Sequence, residues 1–88
     1  MHHLLLYEYV DDMADRRVPH REAHLSHIGA ARDAGRVIMA GATGDPPSGG
    51  AIVFADTPPA DIEAFVESDP YMRAGLITGW RLEPWNLV

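Results

Sequence analysis

Leu4-Leu5-Leu6-Tyr7-Glu8-Tyr9-Val10 decides how this chain folds. Seven residues with a single charge, aromatic and aliphatic throughout, predict a β-strand. Leu4, Leu6 and Val10 point one way; Leu5, Tyr7 and Tyr9 point the other. Both faces of the strand are therefore largely apolar, as in a strand covered on two sides. Asp11-Asp12 ends it, and the residues through Pro19 read as a polar approach to the next element.

Working outward, the spacing predicts a helix from about Pro19 to Ala34, closed by Gly35. Arg36-Val37-Ile38-Met39-Ala40-Gly41 reads as a strand, Thr43 to Gly50 as a Gly/Pro loop, and Ala51-Ile52-Val53-Phe54-Ala55 as a third strand. Thr57 is expected to cap a second helix with Pro58 in its first position. There Ile62, Phe65 and Val66 form the apolar face and Asp61, Glu63 and Glu67 stay wet. Asp69-Pro70 opens a helical turn reaching about Gly75, and the last strand runs from about Thr78 to Leu87, with Pro84 interrupting its ladder. The order βαββαβ predicts an α+β, ferredoxin-like domain: a four-stranded antiparallel sheet with two helices on one face.

At 88 residues the chain has room for one domain, residues 1–88, and a modest core. It has no cysteine, so neither disulfides nor thiolate metal sites reinforce it. The formal net charge of −6, with only 7 basic residues, leaves no basic stripe for phosphates, and nucleic acid is not an expected partner. No apolar run reaches the roughly 18–20 residues that cross a bilayer, so no membrane partner is expected. Met1-His2-His3-Leu4 lacks a basic leader and a small-residue cleavage site, which makes the cytoplasm the expected location. His2 and His3 read as solvated.

Two helices cover only one face of a sheet. The first strand is apolar on both sides, and Trp80 and Trp85 fall on opposite sides of the last. A second apolar face implies an interface, and pairing with a second copy is the simplest cover. The expectation is a homodimer.

His20, Arg21, His24 and His27 lie within two turns of the first helix. Arg21, His24, Leu25, Ile28 and Ala31 share the face expected to meet the sheet, with Arg32 near it. A polar side chain placed there needs a partner. His24 is then a hydrogen-bonded structural histidine or a working one, and spacing alone leaves both open. The histidine spacing matches no zinc motif and no carboxylate completes it locally, so no metal is expected. No phosphate-binding glycine loop joins a strand to a helix, so no cofactor is expected either. Asp69 before Pro70 reads as a helix N-cap, with lone pairs to spare for an imidazole.

Taken in order, Arg21-Glu22-Ala23-His24-Leu25, Gly35-Arg36-Val37, Ala40-Gly41, Phe65, Asp69-Pro70-Tyr71, Ala74-Gly75 and the stretch from Trp80 to Trp85 make a pattern covering nearly the whole chain. The chain resembles the YCII-related (YciI-like) family of small bacterial proteins. The resemblance implies a ferredoxin-like fold that dimerises through its sheets, within the dimeric α/β barrel superfamily. It also implies a His–Asp active-site dyad, here His24 and Asp69. Arg21 and Tyr71 match neighbouring family positions, with substrate binding as their implied role. The short, proline-bearing loop from Thr43 to Gly50 departs from the family pattern.

Two readings of function follow. In the first, the chain is a cofactor-independent enzyme of lyase, dehydrochlorinase or isomerase type. His24 and Asp69 then perform general acid/base chemistry on a small cyclic or enolisable substrate. In the alternative, it is a non-catalytic, ligand-binding or accessory dimeric module whose dyad only stabilises the pocket. Ser26, Ser48 and Ser68 sit in no nucleophile elbow, which disfavours acyl transfer. An open ring nitrogen on His24 beside a cavity separates the first reading from a sealed, structural histidine.

Overall fold

The computed structural model describes residues 1–88 in full. The chain forms β1 (His2–Tyr9), α1 (Met13–Arg16), a 3-10 turn (Val18–His20), α2 (Arg21–Asp33) and β2 (Val37–Thr43). It continues through β3 (Gly49–Ala55), α3 (Pro59–Ser68), α4 (Pro70–Arg73) and β4 (Ile77–Trp85). The strands make one antiparallel sheet in the order β2-β3-β1-β4. This is the ferredoxin-like α+β fold, with the apolar strand β1 at the centre and the proline-bearing β4 at an edge, where a missing N–H is tolerated.

Directly opposed residues of an antiparallel pair share a face. Leu5 lies opposite Ile52 and Leu82, and His3 opposite Phe54. These side chains belong to the face covered by the helices. Leu5, Ile52 and Phe54 pack with Ile28 and Ala31 of α2 and with Ile62, Phe65 and Val66 of α3. On the other face, Met39, Val53 and Leu4 stand side by side across three strands. Trp80 falls opposite Tyr7 and Trp85 opposite His2, so the two tryptophans take alternate faces, as their spacing predicts.

Both major turns into strands use the same device. Gly35 has φ 78° and donates to Arg32 O, while Arg36 donates to Ala31 O. Gly75 has φ 74° and donates to Met72 O, while Leu76 donates to Tyr71 O. These paired bonds satisfy the last helical carbonyls and need a residue comfortable in the left-handed region, which is why glycine stands at both sites.

Four local expectations are corrected. The segment after Asp11-Asp12 is no simple polar approach. It folds into α1 and drives Met13, 1% exposed, into the core. Its polar neighbours hide that single anchor from any periodicity argument. His3, expected in solvent, is 5% exposed, because strand parity sends it to the helix-covered face with Leu5 and Tyr7. Thr57 is not the cap of α3: its hydroxyl donates to Ala55 O at 2.8 Å and Pro58 is the N-cap. With two prolines in tandem, the second takes the first helical position. Finally, Leu25 does not meet the sheet and is 50% exposed. The edge strand below it offers only Ala40, Gly41 and Ala42, which leaves a gap where a larger side chain would have made contact.

Met13→Ala should lower stability by about 2–5 kcal/mol, the usual cost of emptying a buried methionine site. Val18→Ala, on the exposed surface a few residues away, should change it by less than about 0.5 kcal/mol. Urea unfolding of the two variants checks this. Equal, small effects would mean that α1 does not dock as described.

Candidate active site

Asp69 is positioned by the break between α3 and α4. Pro70 disfavours helical backbone in the residue before it, so Asp69 is extended (φ −66°, ψ 125°) and α4 starts afresh. At that start its carboxylate Oδ1 accepts the Tyr71 backbone N–H at 2.9 Å, the capping bond expected from Asp-Pro. The carboxylate has acceptor capacity left. Oδ2 accepts the Tyr7 hydroxyl at 2.9 Å, and Oδ1 lies 2.8 Å from His24 Nδ1. Asp69 itself is 0% exposed.

A carboxylate with donors already on both oxygens accepts from the imidazole, so Nδ1 carries the proton and donates. The neutral ring then keeps its lone pair on Nε2, which makes no hydrogen bond to protein. The ring plane is fixed as well: His24 stacks on Tyr71 with centroids 3.6 Å apart and planes 6° from parallel. Tyr9 meets Tyr71 edge-on at 5.9 Å. Such pairs contribute about 0.5–1.5 kcal/mol each beyond area burial.

His24 and Tyr71 border a cavity of about 420 Å³ between α2 and the β2–β3 edge. Its sheet wall is Ala40, Gly41, Ala42, Gly50 and Ile52, so small side chains create the space. Gly50 is there for a second reason. A Cβ at this position would stand 2.7 Å from the Tyr9 hydroxyl oxygen. The helix side is mixed: Leu25 and Ile28 are apolar, while Arg17, Arg21 and Arg32 supply positive charge, and no Asp or Glu lines the cavity.

The phenols respond to this setting. Burial pushes the Tyr7 hydroxyl well above the ordinary phenol range, and the Asp69 carboxylate adds to the effect, so Tyr7 stays a donor. Burial also raises Tyr9, helped by Tyr71 and Asp69 and opposed by the Arg17 guanidinium. Tyr71 is raised by burial too, with Arg17 and Arg21 pulling it back. The arginines are thus close enough to act on the phenols of the cavity.

Of the residues singled out from sequence, the structure brings His24, Asp69, Arg21 and Tyr71 together. His27 lies apart: its Nε2 donates to Phe65 O at 2.8 Å and its ring stacks on Phe65, which ties α2 to α3. The histidines of α2 do not converge with other side chains as a metal-ligand set. The loop between β2 and β3 contributes no residue from Gly44 to Ser48 to the cavity. Sequence reasoning missed Tyr7, Tyr9 and Arg17. Tyr7 and Tyr9 share the core-facing parity of β1 with Leu5, and a phenol placed there needs a partner; that signal was available. Arg17 precedes α2 in a segment with no periodicity, and nothing marked it.

Comparisons with known proteins agree with this architecture. No protein of curated function matches the sequence. Among solved structures, 5-chloro-2-hydroxyhydroquinone dehydrochlorinase from Burkholderia phenoliruptrix AC1100, in complex with 2,5-dihydroxybenzoquinone, superposes with a TM-score of 0.82. The match covers 98% of this chain and 94% of that one at 21% sequence identity, which establishes a shared fold. The family model for the YCII-related domain matches residues 1–86. The chain belongs to the YCII-related domain family.

Proposed function

We propose that this protein is a cofactor-independent enzyme in which His24 is the general base and general acid for a small cyclic or enolisable substrate. The observation that supports it most is the free Nε2 of His24 at the wall of a cavity, with Nδ1–H held by a buried carboxylate. That arrangement fixes the tautomer and sets a carboxylate beside the imidazolium that forms on proton transfer. The step is simple. Nε2 takes a proton from a carbon beside a carbonyl or enol, or from a ring hydroxyl. The electron pair left behind either expels a leaving group such as chloride from a neighbouring carbon or is reprotonated elsewhere by the same imidazolium. The first outcome is a lyase or dehydrochlorinase reaction and the second an isomerisation. Arg21 holds the oxygen on which negative charge develops, and Tyr71 keeps the imidazole plane in place. That a protein of the same fold binds a dihydroxyquinone supports a small hydroxylated ring as substrate.

The second element of the proposal is a homodimer formed through the open face of the sheet. Met39 is 60% exposed there and Trp85 42%, with Leu4 and Leu6 half-buried beside them. An apolar stripe across three strands favours a second copy as its cover. No helix is long and apolar enough to cross a membrane.

A screen of hydroxylated and halogenated hydroquinones and of enolisable ring ketones tests the chemistry. His24→Ala should lower any turnover found by about 10²–10⁴-fold, and Asp69→Asn should lower it while leaving substrate affinity nearly unchanged. Full activity in His24→Ala would refute the mechanism. Tight binding of these compounds without turnover would instead favour the ligand-binding module. For the assembly, light scattering on gel-filtered protein should give twice the mass of one chain, and Leu4→Glu together with Met39→Glu should give one. A wild-type monomer at micromolar concentration would contradict the dimer.

A further inference from the structure

The chain contains seven arginines, no lysine and 13 acidic residues. Only Arg81 approaches a carboxylate, so an unpaired guanidinium is the rule in this chain; what sets Arg17, Arg21 and Arg32 apart is that all three line the cavity, whose walls carry no Asp or Glu. The acidic residues of α2, Glu22 and Asp33, lie off the strip defined by Arg21, Leu25, Ile28 and Arg32, whose spacing keeps one face of the helix free of negative charge. Arg17 extends that strip from the turn before α2. Arg21 and Arg32 are exposed and Arg17 is half-buried, so the three guanidiniums are open to an incoming ligand, and an anion entering the cavity meets positive charge and no carboxylate.

The three are not equivalent. Arg17 and Arg21 sit at the dyad end, where their charges act on Tyr71. Arg32 enters from the opposite end of α2, about 16 Å along the helix axis from Arg21. The cavity therefore has a cationic group at each end and His24 near one of them.

We infer that the cavity selects a substrate with two anionic groups, one held by Arg17 and Arg21 beside His24 and a second held by Arg32. This rests on the reading of the cavity as the substrate site and names the class of compound: a flat, ring-sized dianion, such as an ionised enol or phenol bearing a carboxylate on the far side. Arg17 is then a binding residue for the oxygen next to the proton transfer, and Arg32 a specificity-determining residue remote from it. Guanidinium suits both tasks, because its planar fork matches carboxylate and enolate oxygens and does not titrate.

Three probes with one ring and different charge test this: terephthalate (dianion), benzoate (monoanion) and benzamide (neutral). The arginine Nε–Hε resonances are followed by NMR, with Arg16, Arg36, Arg73 and Arg81 as internal controls. Terephthalate should shift Arg17, Arg21 and Arg32 saturably and bind about tenfold or more tighter than benzoate, the worth of one added charge-assisted contact. Benzamide should shift none of the seven. Arg32→Gln should reduce terephthalate to benzoate's affinity and leave benzoate unchanged, whereas Arg17→Gln should weaken both. Equal affinities for terephthalate and benzoate, no saturable binding, or comparable shifts at the control arginines would overturn the inference. The readout is independent of turnover. Loss of the dianion preference with His24 still essential to activity would remove this inference alone. An intact preference with an active His24→Ala enzyme would remove only the proton-transfer reading.

Discussion

Asp69 has no exposed surface, and its two oxygens accept three hydrogen bonds from three different parts of the chain. Tyr7 reaches it from the central strand, His24 from the long helix and the Tyr71 N–H from its own capping turn. A carboxylate buried this deeply is costly unless fully bonded. Oδ1 holds two of these bonds and Oδ2 only that from Tyr7, so removing the Tyr7 hydroxyl would leave a buried acceptor unsatisfied, at about 1–3 kcal/mol. The sheet, α2 and α4 are therefore joined at one point, and that point also orients the imidazole. Structural and chemical demands on Asp69 coincide: what fixes α4 against β1 also decides which nitrogen of His24 is free.

The surroundings separate negative from positive charge across that imidazole. Behind it lies the Asp69 carboxylate, shielded by aromatic rings; in front lies a cavity bordered by guanidiniums. In the proposed reaction a proton moving to Nε2 would create an imidazolium next to the carboxylate and an anion facing the arginines, each beside an opposite charge already in place. The space for this comes from small residues. Ala40, Gly41, Ala42 and Gly50 keep the edge of the sheet low beneath α2, and Leu25 remains half exposed as a consequence.

Much of this was legible in the sequence, for identifiable reasons. The order of elements follows from clear apolar runs separated by glycine and proline, and two helix-ending glycines stand where positive φ is needed. Asp69-Pro70 announces its own capping role. His24 was identifiable as a polar residue on a buried helix face, and the family pattern paired it with Asp69, 45 residues away. Other features were hidden. Met13 is one apolar residue among polar ones, too short a signal for periodicity. Leu25 fits the helical wheel but lacks a facing side chain, which only the register of β2 reveals. Parity put Tyr7 on one side with Leu5 and Tyr9, but with both sides apolar it did not say which side was the core, nor that the hydroxyl would meet Asp69, 62 residues away. Arg17 owes its place to a 3-10 turn that local composition does not specify.

The central claim is that Asp69 holds the proton of His24 on Nδ1 and leaves Nε2 free to accept one. Long-range ¹H–¹⁵N correlation of the His24 imidazole reads this directly, at a pH where the ring is neutral. The account predicts a protonated, pyrrole-type Nδ1 and an unprotonated, pyridine-type Nε2 in the wild type, with this preference weakened in Asp69→Asn. A neutral His24 protonated on Nε2 would contradict it, because no base would then face the cavity.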